Sequence, residues 1–159
     1  MLQYLYMALF CAGAVTIDQL TKLWIVKNIA LHTDLPVWNG VFHLTYTQNT
    51  GAAFSSLEGQ HWLFVLVLVG FLVFIIWEFP KKRMDFTTVE RWLLVAIFAG
   101  GLGNMIDRLR LGYVVDMVEV EFMNFAVFNV ADIFITCGCF LLIAHLIFVN
   151  KAFWKEEKK

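Results

Sequence analysis

Serine is almost missing from this chain: of 159 residues only Ser55 and Ser56 are serines, and neither sits in a G-x-S-x-G turn. A serine hydrolase would lack its nucleophile elbow. The three cysteines, Cys11, Cys137 and Cys139, lie in apolar runs with neither a disulfide framework nor a zinc-ligand spacing. They read as small buried hydrophobes. The four histidines, His32, His43, His61 and His145, are scattered without an H-E-x-x-H pair, and no phosphate-binding P-loop is present. No metal and no cofactor are expected. Net charge is −1 without a basic stripe, which argues against nucleic acid as a partner. With no repeat, low-complexity tract or Pro/Gly linker, residues 1–159 read as one domain.

Apolar residues take the place of all these. The chain is 60% hydrophobic and 16% aromatic, with a mean hydropathy of +0.72, too apolar for an ordinary soluble domain. Four runs, 1–17, 62–77, 92–106 and 133–149, contain no Asp, Glu, Lys or Arg. Each is near the short end of the roughly 17–25 residues that cross a bilayer, so flanking polar residues must complete the spans. The expected fold is an α-helical integral membrane protein with four transmembrane helices near 3–28, 61–79, 90–108 and 131–150. The first run lacks a basic leader and a small-x-small cleavage site, and Asp18 and Lys22 follow directly, so it reads as a retained helix.

Lysine and arginine placement sets the expected orientation. Lys81, Lys82, Arg83 and Arg91 mark one loop, and Lys151, Lys155, Lys158 and Lys159 mark the tail. Residues 28–61 contain neither residue type, and the later outer segment has only Arg108 and Arg110. Both termini are therefore expected in the cytoplasm, with segments 29–60 and 109–130 outside. Trp62, Trp77 and Trp92 fall at the expected interfaces. Within the outer segments, Phe42, Leu44 and Tyr46 alternate with His43, Thr45 and Thr47, and 114–122 is β-rich with Glu119 and Glu121 on one face. A small extracytoplasmic sheet suits both. The stretch 57–61 is a candidate gate.

Carboxylates and amides are the chemistry that remains, and they cluster. Asn104, Asp107 and Arg108 share a helix face at i, i+3, i+4 spacing; Asp107 and Arg108 either serve a site or stitch the helix end to its loop. Gly100, Gly101 and Gly103 allow close helix packing. Asp18 and Lys22, at i, i+4, can neutralise each other. Gln19, Asn49 and Thr50 offer contacts to an extended substrate backbone. Asn129 and Asp132 have capping-box spacing at the start of the fourth helix. Asp132 is then either a pure cap or the partner of Asp116, which emerges on the same side. Two carboxylates sharing one proton can activate water and protonate a leaving amine. Helix-dipole logic favours an ionised Asp132, leaving Asp116 to carry the proton.

Four blocks together resemble the lipoprotein signal peptidases (signal peptidase II), bacterial membrane aspartyl proteases. They are Asp18-Gln19-Leu20-Thr21-Lys22; Asn49-Thr50-Gly51-Ala52-Ala53-Phe54; Gly100 to Arg108 with Val114-Val115-Asp116; and Phe128-Asn129-Val130-Ala131-Asp132. They occur in the family's order and span most of the chain. The one departure is Met117, where the family more often has Phe. The resemblance implies that Asp116 and Asp132 are the catalytic dyad and that Asn49, Gly51, Asn104, Asp107, Arg108 and Asn129 shape the site, with Asp18 and Lys22 in support. It implies a fold of four transmembrane helices with a small β-cradle. The expected setting is the bacterial cytoplasmic (inner) membrane, with the site on the outer side by the lysine and arginine placement, and a monomer is expected. Its substrate would be a prolipoprotein carrying diacylglycerol on its lipobox cysteine, met among membrane lipids and cut just before that cysteine. The rival from another class is a small proton-coupled carrier with intramembrane carboxylates. Against it, the acids gather at one side and no inverted repeat is visible.

Overall fold

A computed structural model describes residues 2–51, 61–81 and 84–151. The two serines, most of the candidate gate, Lys82, Arg83 and the tail lysines after Lys151 lie outside the described residues. The element order is α1 (Leu2–Asn28), β1 (Asp34–Trp38), β2 (Phe42–Asn49), α2 (His61–Lys81), α3 (Thr88–Leu111), β3 (Val114–Val120) and α4 (Val130–Phe148). All four helices are long and apolar enough to cross a membrane. Their outward faces carry large aliphatic side chains, such as Leu66, Val69, Val73 and Ile76 of α2, as a lipid-facing surface requires.

Helix α3 is the centre of the bundle. Over its most apolar 18-residue stretch 56% of residues are buried, against 22% in α1 and 11% in each of α2 and α4. It packs on all three other helices. Glycine permits the closest of these approaches. A Cβ at Gly100 would strike the carbonyl oxygen of Ala131 on α4, and one at Gly103 would lie 2.6 Å from Asp18 Oδ2 on α1. A capping box between Thr87 and Glu90 starts α3. Its end is set by Gly112, whose φ of 81° is the left-handed conformation glycine adopts without a Cβ penalty. That turn sends the chain into β3 and so delivers Asp116 beside the helix end.

The sheet is antiparallel in the order β1-β2-β3. Strand β2 lies where apolar and polar residues alternate in the sequence, and β3 lies within the β-rich stretch 114–122. Strand β1 has no such signal: all five of its residues are exposed, so no face alternates. Its Pro36 fits because an edge strand tolerates a missing N–H. Ile25 and Ile29 from the end of α1 pack with Tyr46, Val115 and Met117, which fastens the sheet to that end of the bundle. A second apolar cluster, Met7, Phe79, Leu94 and Val95, joins α1, α2 and α3.

Candidate active site

Asp116 and Asp132 come from unlike elements and meet through amides. Asp116 lies on β3 and is 3% exposed. Its Oδ2 accepts from Asn49 Nδ2 at 2.9 Å and its Oδ1 from Asn129 Nδ2 at 2.7 Å. Asp132 is the third residue of α4. Its Oδ2 accepts from the backbone N–H of Asn129 at 3.0 Å, while Asn129 Oδ1 accepts from Asp132 N at 3.0 Å. The capping box predicted from the spacing is therefore present. Asn129 does more than cap: its side-chain amide donates to Asp116 while its backbone donates to Asp132. One residue thus holds both acids.

A buried charge network fixes the geometry from behind. Lys22 Nζ lies 2.9 Å from Asp18 Oδ2, 3.0 Å from Asp107 Oδ2 and 2.9 Å from Asn104 Oδ1. All three of its hydrogens are thereby used. An ammonium only donates, so the oxygen of Asn104 must face Lys22 and the amide NH2 must face the other way. That NH2 donates to Asp132 Oδ1 at 2.8 Å, and Asn104 Oδ1 also accepts from Asn129 Nδ2 at 3.1 Å. Lys22 orients Asn104, and Asn104 orients Asp132. Asp18 Oδ1 accepts from Ala131 N at 2.9 Å, which ties α1 to the first turn of α4. Asp107 Oδ2 accepts from Val115 N at 3.1 Å, which holds β3 one residue before Asp116. Gln19, expected to face substrate, is turned inward instead. Its amide donates to Asp107 Oδ1 at 2.9 Å and to Gly103 O at 3.2 Å, because two buried carboxylates need more donors than one lysine supplies.

Arg108 stitches the α3 end to the strand-to-helix loop, with Nη2 donating to Gly51 O at 2.8 Å and its guanidinium 4.2 Å from the Phe64 ring centroid. Gly51 N donates to Asn49 Oδ1 at 3.0 Å, so this loop also sets the Asn49 amide against Asp116. The ten residues that the family resemblance implied meet in this one network. Phe64, which no motif marks, and Phe128, the apolar start of the fourth block, line the adjoining space.

Two cavities open on the carboxylates. One of about 410 Å³ is lined by Asn49, Asn104, Arg108, Asp116, Phe128 and Asp132. The other, about 440 Å³, lies between α2, α3 and α4 and reaches Asn104, Arg108 and Asp132 past Phe64, Leu68 and Met105. A larger apolar cleft of about 770 Å³ between α1, α2 and α3 contains none of these acids. Burial raises the pKa of Asp116 to about 6; the amides of Asn49 and Asn129 oppose the rise, and the charge of Asp132 adds to it.

The signal peptidase II family model matches residues 10–148. The chain belongs to that family. Signal peptidase II enzymes are aspartic proteases, so this chain is one of the aspartic proteases. The chain is 44% identical over 146 residues to the lipoprotein signal peptidase of Streptococcus pyogenes serotype M2, covering 90% of this chain and 89% of the relative. It is 47% identical to that of Streptococcus agalactiae serotype Ia, covering 90% and 88%. A bacterial membrane enzyme solved by the in meso method at 2.3 Å superposes with a TM-score of 0.84 at 29% identity, covering 97% of this chain and 93% of that one. A second, at 1.9 Å, gives 0.80 at 28% identity, covering 91% and 94%.

Proposed function

We propose that Asp116 and Asp132 are the catalytic dyad of an aspartyl endopeptidase that removes the signal peptide from diacylglyceryl-modified prolipoproteins, cutting before the lipidated cysteine. The observation that carries the assignment is the joint grip of Asn129 and Asn104 on the two acids, which face one cavity. Asp132, at a helix N-terminus where negative charge is favoured, takes a proton from water as the water oxygen attacks the scissile carbonyl carbon. Asp116, whose pKa is raised to about 6 by burial, gives its proton to the carbonyl oxygen. The C–N bond of the resulting gem-diol then breaks. Asp132 passes its proton to the leaving amine of the lipidated cysteine, and one diol hydroxyl returns a proton to Asp116 as the new carboxyl group forms.

The surroundings suit such a substrate. Two largely apolar cavities meet at Asp132, and the first also reaches Asp116, which leaves room for an acylated cysteine and a signal segment to approach from different sides. Lysine and arginine placement supports cytoplasmic termini and an outward-facing site in the bacterial inner membrane, where acyl chains would hold the scissile bond at the interface. The protein acts as a monomer in this reading. The family match favours the protease over the proton-coupled carrier.

The test is to make Asp116→Asn and Asp132→Asn, confirm that each folds in membranes, and assay cleavage of a lipid-modified prolipoprotein. Each variant is expected to lose turnover by about 10²–10⁴-fold or more. Turnover like wild type in either one refutes the dyad.

A further inference from the structure

Away from the dyad, the sheet gathers a second set of titratable groups around His43. Its Nε2 lies 3.1 Å from Glu119 Oε2 on β3 and 3.6 Å from Asp34 Oδ1 on β1, and its Nδ1 lies 3.2 Å from Glu121 Oε1. Glu121 is itself held, its Oε2 accepting from Gly40 N at 2.7 Å. Glu119 and Asp116 are three residues apart on β3, an odd spacing that puts them on opposite faces of the sheet.

The hydrogen-bonding arithmetic leaves one position open. A neutral imidazole has one N–H, and Glu121 at Nδ1 takes it. The Nε2 lone pair then points at two carboxylate oxygens, an acceptor facing acceptors, which only a positive charge can reconcile. Among the described residues no lysine or arginine pairs with Asp34, Glu119 or Glu121, and residues 28–61 contain none at all. A carboxylate on the far ring nitrogen is also the usual way a metal-binding histidine is oriented.

We infer that Asp34, His43 and Glu119 form a binding site for a divalent cation of the zinc class, with Glu121 orienting the imidazole. The ligand atoms of the three residues all lie within 4.8 Å of one another. Tetrahedral zinc with bonds of about 2.0–2.2 Å requires ligand-to-ligand edges of about 3.4 Å. The observed edges from Nε2, 3.1 and 3.6 Å, bracket that value. The carboxylates of Asp34 and Glu119 are partly exposed, so they can close on an ion and leave the fourth position to water. The bound ion would clip both outer strands to β2, and edge strand β1 gains most because no side chain of it is buried. The competitor is a proton. A metal-bound imidazole nitrogen must be free of its proton, so acid should expel the metal.

Calorimetric titration of zinc sulfate into the chelator-treated full chain in detergent tests this without a peptidase assay, so its outcome is independent of the dyad. One zinc per chain is expected at pH 7.5, with binding weakened towards pH 5.5 and a zinc-dependent rise in unfolding temperature. His43→Ala should abolish binding, and Asp34→Asn should weaken it about 10-fold or more. Asp34 is the safer variant for the fold, since its side chain is more than half exposed. Absence of zinc uptake, or uptake unchanged in both variants, overturns the site and leaves His43 as a protonated clasp between the strands.

Discussion

Replacing Lys22 by Met removes one ammonium while keeping a long, helix-compatible side chain. The side chains of Lys22, Asp18 and Asp107 are 3%, 1% and 3% exposed, so the substitution leaves two buried carboxylates without their shared cation. Breaking a buried pair in this one-sided way costs about 3–5 kcal/mol. For a chain of this size that lowers the unfolding midpoint on the order of 10 °C. A second effect separates from the first. Without the ammonium nothing obliges Asn104 to present its oxygen to α1, so its amide can flip and deny Asp132 the bond at 2.8 Å. Turnover should therefore fall further than stability. Adding Asp18→Asn to Lys22→Met removes one uncompensated charge and should recover part of the midpoint, yet turnover should stay low because Asn104 is still unanchored. The assay pairs thermal unfolding in detergent with single-turnover cleavage of a lipid-modified prolipoprotein. A Lys22→Met midpoint equal to wild type refutes the buried-charge argument. Recovery of turnover together with stability in the double variant refutes the orienting role.

Two further outcomes follow from the geometry. Gly103→Ala would place a Cβ 2.6 Å from Asp18 Oδ2, and the displaced carboxylate should cost about 1–3 kcal/mol, read as a lowered unfolding midpoint. Gly101→Ala meets only the end of the Leu68 side chain, at 3.0 Å, and should be nearly silent. The pH profile carries the other test. If Asp116 must enter the reaction protonated, kcat/KM falls as pH rises through its pKa of about 6. The Asn49 amide favours the ionised form, so Asn49→Ala should move that alkaline limb to higher pH, and a limb that moves down or stays fixed contradicts the assignment.

Sequence alone was enough for everything that depends on near neighbours. Uncharged runs approaching bilayer length marked all four helices, because burying a charge in hydrocarbon is costly at any point of a span. Alternation marked β2, β-rich composition marked β3, and the three-residue spacing of Asn129 and Asp132 marked the start of α4, because strand and cap geometry repeat over two to four residues. The polar blocks also marked the acids and amides that meet in one network. What they are bonded to was decided by the tertiary fold. Lys22 reaches Asn104 across 82 positions and Asp18 reaches Ala131 across 113, separations that no local period encodes. Gln19 turns inward only because Asp18 and Asp107 are buried side by side. Strand β1 exists because β2 offers it an unpaired edge rather than because its own side chains alternate. The histidines looked scattered for the same reason: His43 meets Asp34 and Glu119 only once three strands lie in register.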